Sequence, residues 1–482
     1  MPDLGHTTLQ AQATEALWRT FGTAQDLHDG IRDHGGPDLA EEHNIHTGTR
    51  ELAAAAVRSA MDLDPSGLSR LRDLLLAALR ARRGSPELRA ALEAMGVKVP
   101  PHLASPPEKV LHLRVLEVGN RFEIQAINEA REIREGESRR FAPEFITSLA
   151  RLKEVLAVSS TTNRGTVFQA GNRRFDKAML KELGDDVFEF LMPPEVNRFF
   201  LDNLEKALNA NTSLQVMLDV ERAPSLAHIP WELAFDPRRR GHLCLGNEAS
   251  LCREVDAVLT LLQPKRELRI LGLVAAGDIT TPGAPDDALE VDRERDLIQT
   301  ALRDVSPAVQ QGWCLGGTLT ELRRMMRARA PGDGWSVFHF IGHGGFDEEA
   351  GEGYLLLRGA GGTVPVTADR LADILLTPGG TPQLVVLNCC SGGTTAQGKP
   401  FSSVAATLVL RGIPAVIAMQ FPVSEPAALS FSRNFYEAIS EGMSVQRALT
   451  QTRQALSDDF PEWVTPALFT SGGDFALVEP PA

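Results

Sequence analysis

Apolar positions along this chain recur with two different periods, and the change of period divides it. Over residues 1 to about 100 the period is helical. Leu68, Leu71, Leu75 and Leu79 fall three and four residues apart, on one face of a helix. Ser85-Pro86-Glu87 is a helix start, with Ser at the cap and Pro in the first turn, and Gly84 closes the helix before it. The pattern predicts six helices, over about 8–21, 23–34, 37–45, 49–63, 67–83 and 86–95. A bundle of that size can bury a core of its own. The stretch Val99 to Pro107 holds Pro100, Pro101, Pro106 and Pro107 and reads as a linker.

Beyond the linker, strand patterns enter. Lys109 to Leu116 and Leu214 to Val220 alternate as strands do, and residues 176–210 between them are helical in pattern. From 267 onward, short apolar runs alternate with amphipathic stretches. The runs are Leu268 to Ala275, Ser336 to Ile341, Gln383 to Asn388 and Ile413 to Ala418. Helices are predicted over about 287–303, 318–329, 367–376, 401–411, 425–440 and 444–457. Continuous apolar strands separated by helices imply a mostly parallel α/β sheet covered on both faces.

Composition narrows the function classes. The 482 residues are 43% hydrophobic and 23% charged, an ordinary globular balance. A net charge of −14 argues against a nucleic-acid partner, which needs clustered Lys and Arg. The basic runs are short, Arg80 with Arg82 and Arg83, and Arg238 to Arg240, and read as solvated faces or loops. No apolar run is long enough for a membrane span, and the first residues lack a secretory pattern, so a cytoplasmic protein is expected. The five cysteines, Cys244, Cys252, Cys314, Cys389 and Cys390, form no CxxC pair and suggest neither a disulfide framework nor a metal site. No phosphate-binding glycine motif is present, so no cofactor is expected.

Two motifs carry candidate chemistry. One strand ends in Ile341-Gly342-His343-Gly344-Gly345, another in Asn388-Cys389-Cys390-Ser391-Gly392-Gly393. Residues just past the carboxyl ends of neighbouring parallel strands share one crevice, which would bring His343 and Cys390 together. A thiolate is the nucleophile, and an adjacent imidazole can take its proton and return one to a leaving amine. The amides of Gly344 and Cys390 could then form an oxyanion hole. Each residue alone is more often a packed side chain. Their spacing changes the weight, since a His about 50 residues upstream of a Cys is a caspase arrangement.

Glycine-flanked His after one strand and Cys-Ser-Gly-Gly after the next resemble the caspase clan of cysteine peptidases. Further stretches resemble its CHAT-domain branch, relatives of separase. They are Ile229-Pro230-Trp231-Glu232, Leu245 to Arg253, Gly412 to Val423, Phe435-Tyr436 and Gly442 to Ala448. The resemblance covers about residues 108–478 and implies a caspase-like, mostly parallel sheet flanked by helices. It implies a Cys390–His343 dyad, with Cys389 a small packed neighbour, and substrate contacts at Asn388 and Gln420. Asn388 stands where relatives that cleave after basic residues carry Asp, and an amide supplies no such charge. Trp231 and Glu232 read as structural. The loop 276–290 is expected near the cleft.

The expected organisation is a helical domain over 1–98, a linker over 99–107, a non-catalytic α/β region over 108–265 and a catalytic domain over 266–482. The helical domain resembles the death-like effector-associated domains of bacterial conflict proteins, which implies an adaptor or activator as partner and a setting in antiviral defence or stress. A helical appendage that only stabilises the enzyme is the other reading. For the whole chain, the resemblance implies an endopeptidase acting on a protein substrate. An inactive caspase-like scaffold is the alternative.

Overall fold

A computed structural model describes residues 4–21, 23–33, 39, 48–62, 69–81, 85–97, 109–161, 177–257, 264–265, 267–275, 295–296, 299, 309–327, 334–347, 349–359, 362–377, 380–389, 399–421 and 423–479. The chain divides into a helical unit within residues 1–107 and an α/β unit over 108–208 and 213–478. The expected helices over 37–45 and 287–303, the loop 276–290 and the linker lie largely or wholly outside the described residues. Among the described residues no helix is long and apolar enough to cross a membrane.

The helical unit contains α1 (Leu4–Thr20), α2 (Ala24–Asp33), α3 (Thr49–Asp62), α4 (Ser69–Ala81) and α5 (Pro86–Ala94). Its own apolar cluster includes Leu17, Leu27, Ile31, Leu52, Val57, Leu71, Leu75, Leu79 and Leu88, all buried. Leu71, Leu75 and Leu79 are the face that the spacing predicts. The Ser85 hydroxyl accepts from the Leu88 amide at 3.3 Å, and Pro86 opens α5 where no amide is needed.

The α/β unit is built on one 11-stranded sheet. Its first part runs β1 (Lys109–Val118), β2 (Arg121–Asn128), β3 (Ile133–Ser138), α6 (Pro143–Thr161), α7 (Lys177–Leu191), α8 (Pro194–Asn209), β4 (Leu214–Asp219), the short hairpin β5 (Phe235–Asp236) and β6 (Gly241–His242), and β7 (Ala249–Glu254). Then follow β8 (Arg269–Ala275), β9 (Gln310–Cys314), α9 (Leu319–Arg327), β10 (Val337–Gly342), β11 (Gly344–Asp347), β12 (Glu352–Gly359), β13 (Gly362–Thr367) and α10 (Ala368–Leu375). The chain closes with β14 (Leu384–Cys389), α11 (Lys399–Leu410), β15 (Ala415–Met419), α12 (Glu425–Ser440), α13 (Val445–Ser457) and β16 (Pro466–Thr470).

Across the sheet the order is β3-β2-β1-β4-β7-β16-β15-β14-β10-β8-β9. Strands β1, β4, β7 and β16 are parallel, as are β15, β14, β10, β8 and β9. The two sets meet antiparallel where β16 pairs with β15. The expected α/β class is therefore observed as two opposed parallel half-sheets in one layer. The central strands of the second half are mostly apolar because both faces are covered, whereas the edge strand β9 carries Gln310 and Gln311. Val337, Ile341, Leu384 and Val386 belong to one core cluster, and Phe338, Phe340, Val385 and Leu387 to the other.

Short strands that carry little apolar pattern escaped the sequence reading. The strand β3 is one case, since it reads Ile-Arg-Glu-Gly-Glu-Ser and exposes most of its side chains. The strand β16, Pro466-Ala467-Leu468-Phe469-Thr470, is another, because its five residues give too short a window. The Arg238 to Arg240 run forms the turn between β5 and β6. There the Asp236 carboxylate accepts from the Arg238 and Arg239 amides, and Arg239 pairs with Glu248.

Candidate active site

Strands β10 and β14 are parallel neighbours in register from Val337↔Leu384 to Gly342↔Cys389. His343 thus leaves the sheet beside the end of β14. Cys390 follows Cys389 in the chain and itself lies outside the described residues. The end of β10 is crowded on its other side too, where Gly342 pairs with Ala275 of β8. A Cβ at Gly342 would stand 3.0 Å from the Ala275 carbonyl oxygen and 2.8 Å from the Phe340 ring, so only glycine brings the strands this close before the histidine.

His343 is buried, with 8% of its surface exposed. Its carbonyl accepts from the Leu356 amide at 2.9 Å, which ties it to the three-stranded sheet β11-β12-β13. That small sheet is antiparallel, with Gly344 opposite Leu355 and Gly345 opposite Tyr354. Hydrogen-bonded and non-hydrogen-bonded pairs alternate along such a ladder. The Leu356–His343 bond puts Gly344 in the non-hydrogen-bonded position, so its N–H turns away from β12. Gly345 leaves room for the Tyr354 ring, which would lie 2.2 Å from a Cβ there.

The other expected site residues fall elsewhere. Asn388 is on β14, opposite Ile341 and 1% exposed, so its side chain is buried on a covered face of the sheet. Gln420, expected at the substrate, is instead part of a buried polar cluster. Its Oε1 accepts from Arg253 Nη2 at 2.8 Å, and its Nε2 donates to Glu232 Oε2 at 2.7 Å and to the Val464 carbonyl at 3.0 Å. Every polar atom of the amide is thus engaged within the protein. Asp347 accepts from the Glu349 and Ala350 amides in an exposed turn, as a surface-loop residue does.

Glu232 and Arg253 form the centre of that cluster. Arg253 Nε donates to Glu232 Oε1 at 3.1 Å and Nη2 to Oε2 at 2.8 Å. Both side chains are almost wholly buried. Burial pushes the Glu232 carboxyl upward, but the charge and hydrogen bonds of Arg253, with Arg453 and Gln420, hold it below its ordinary value. The pairing is charge-assisted and two-pronged, the geometry in which Arg outperforms Lys. Trp231 beside it is fully buried among Phe141 and Phe190. The structural roles read for Trp231 and Glu232 are the ones observed.

A family model described as the CHAT domain matches residues 181–463, more than half of the chain. The chain belongs to the CHAT-domain family. The matched CHAT segment begins within α7 and runs from β4 through β15, so it takes in β4 and β7 of the first half-sheet and all five strands of the second, and β1 precedes it. It stops just short of β16, which closes the sheet between β7 and β15. No curated protein matches the chain. Solved structures similar to it include two of the Saccharomyces cerevisiae separase–securin complex, at 2.6 and 3.0 Å. The first shares 10% identity at a TM-score of 0.43, covering 88% of this chain and 35% of that one. The second shares 10% at 0.41, covering 92% and 32%. The chain spans about a third of the length of either.

Within the CHAT domain, the Glu232–Gln420 link was not legible beforehand. Its two residues are 188 apart in sequence, and neither belongs to a motif with catalytic spacing. The one available signal was that Gln420 follows a wholly apolar strand, a place where a polar side chain needs a partner. Among the described cysteines, Cys244, Cys252 and Cys314 are free and buried. Burial raises the Cys314 thiol to about 12, which keeps it unreactive.

Proposed function

We propose that this CHAT domain is a cysteine endopeptidase in which Cys390 is the nucleophile and His343 the general base. The register Gly342↔Cys389 carries the reading. It aligns the last residues of two adjacent parallel strands, and the candidate pair are the next residue on each. One peptide unit spans about 3.8 Å and neighbouring strands lie about 4.8 Å apart, so thiol and imidazole need little further reach.

In the proposed reaction the Cys390 thiol gives its proton to His343, and the thiolate attacks a peptide carbonyl carbon. The carbonyl oxygen becomes an oxyanion that accepts from the Gly344 and Cys390 amides. The orientation of the Gly344 N–H, turned away from β12, supports this role. The C–N bond then breaks as His343 returns the proton to the leaving amine. Water, deprotonated by His343, cleaves the thioester and frees the thiol. No cofactor or metal takes part in this scheme.

The helical unit would recruit an adaptor or activator protein, in a bacterial defence or stress setting. That part rests on its likeness to effector-associated domains and on its separate core. The test is incubation of wild type, Cys390→Ala and His343→Ala with neighbouring gene products, followed by mass spectrometry of new termini. Each substitution should lower cleavage by roughly 10³-fold or more. Cleavage by both variants at the wild-type rate would leave the inactive scaffold as the better reading.

A further inference from the structure

We infer that the groove formed by α1, α3 and α5 seats an acidic amphipathic helix of the partner protein, an inference that rests on the recruitment reading above. Helix α1 packs on both α3 and α5, and the three line a concavity of about 750 Å³. Ala11 and Ala16 of α1, Ala54 of α3, and Ala90 and Ala91 of α5 form part of its lining. Alanine on each of three helices leaves a hollow that the larger side chains of another helix can fill, as ridges enter grooves. Among its described residues the helical unit has no strand edge to which an extended peptide could add. Of the common modes of peptide recognition, a helix laid in a groove is the one this surface supports.

The sign of the partner follows from the charges around the hollow, which are Arg19, Arg50 and Arg58 against Glu15 and Glu87. Arg19 Nε donates to Glu15 Oε1 at 2.7 Å. The Arg50 guanidinium reaches the same carboxylate only at 3.8 Å, too long for a hydrogen bond, and its side chain is 67% exposed. Arg58, exposed on α3, makes no hydrogen bond or ion pair among the described residues. Glu87 on α5 accepts from the Ser85 hydroxyl at 3.1 Å. One carboxylate thus serves two arginines, and the third has none. Arg50 and Arg58 stand two turns apart on α3, about 12 Å along its axis. An incoming helix with Asp or Glu two turns apart would meet both, each carboxylate accepting a pair of N–H bonds.

A second observation marks the same rim. The Arg50 guanidinium carbon lies 4.9 Å from the centroid of the Trp18 ring. Trp18 is 37% exposed, the one exposed large apolar side chain among the described residues of the helical unit. Trp and Arg are the residue types that dominate protein–protein contacts. Stacking on a ring holds a guanidinium in place and leaves its N–H edge free for a carboxylate. The alanine floor and the two carboxylates fit a phosphate backbone poorly, since that needs clustered cations.

The experiment uses the full chain carrying Cys390→Ala, so that bound peptides stay whole. It selects from displayed helical peptides randomised on one face, with sequencing of those enriched. They should carry Asp or Glu two turns apart beside apolar residues. Affinity for an enriched peptide, read by fluorescence anisotropy, should fall about 10-fold or more on adding Arg50→Glu with Arg58→Glu. Ala90→Tyr, which fills the hollow at unchanged charge, should weaken it as well. All three positions are exposed, so the variants should unfold at the parent's temperature. The same chains are tested for binding to the neighbouring gene products. Enriched helices without acidic bias, or helices that bind the variants as tightly as the parent, overturn the groove. So does a gene product held equally by all of them, which leaves recruitment to another surface. Binding of duplex DNA or anionic vesicles that the charge reversal abolishes, without helix enrichment, assigns the arginines to phosphates and overturns the inference. If no helix is enriched and no gene product binds, the recruitment reading falls with it.

Discussion

The Gln420 amide spans the join between the two half-sheets, donating to Glu232 at 2.7 Å and accepting from Arg253 at 2.8 Å. Glu232 and Arg253 belong to the first half, at the turn after β4 and on β7, while Gln420 follows β15 in the second. Between β7 and β15 lies β16, which shares with β7 only the pairs Phe469↔Arg253 and Thr470↔Glu254. The buried cluster is therefore a main polar tie across a short ladder. Removing Glu232 would leave the Arg253 charge buried and uncompensated. Glu232→Ala should cost about 3–5 kcal/mol in urea unfolding. Gln420→Ala should cost about 1–3 kcal/mol by stranding its partners, with any loss of cleavage tracking the loss of folded protein. A raised KM at unchanged stability would return Gln420 to the substrate.

His339 should make the α/β unit acid-labile. It is fully buried on β10, its Nδ1 is 2.8 Å from the Tyr436 hydroxyl, and burial lowers its pKa from 6.5 to about 4. The unfolded chain takes up a proton as pH falls through 6.5, whereas the folded chain resists until about 4. Stability should therefore fall across that window and level off below it, by about 3 kcal/mol in all. His339→Gln removes the titration. Stability curves of wild type and variant should differ in slope between those pH values, and parallel curves would refute the assignment.

Gly317 should tolerate no side chain. It adopts φ +61°, and a Cβ there would meet the Val274 carbonyl oxygen at 2.6 Å. Left-handed backbone alone costs a non-glycine residue about 1–2 kcal/mol. Gly317→Ala should therefore destabilise by at least that much in chemical denaturation, and should disturb the hydrogen bond that the Arg358 amide donates to its carbonyl. An unchanged unfolding midpoint would show that the turn relaxes freely.

In the helical unit, Ser85→Ala removes the cap that accepts the Leu88 amide. A loss of about 1 kcal/mol is expected. Ser85→Asp should recover most of it, because aspartate also accepts at a cap. Thermal unfolding of the full chain, followed through the helical signal, distinguishes the two.

The sequence by itself determined the elements whose pattern is local. The strand runs from Leu268, Ser336, Gln383 and Ile413, and the helix over 425–440, appear within a residue or two of where periodicity puts them. Burial on both faces makes such strands uniformly apolar, and one buried face makes a helix periodic. The glycine-flanked His343 at a strand end was legible for the same reason. Tertiary structure alone decided which strands are neighbours and in what register, because pairing across the sheet leaves no mark on either strand's own pattern. It moved Gln420 from the substrate into a buried ion cluster, whose members lie far apart in sequence. It also set His343 opposite Leu356, a relation fixed by one antiparallel register that no single strand encodes.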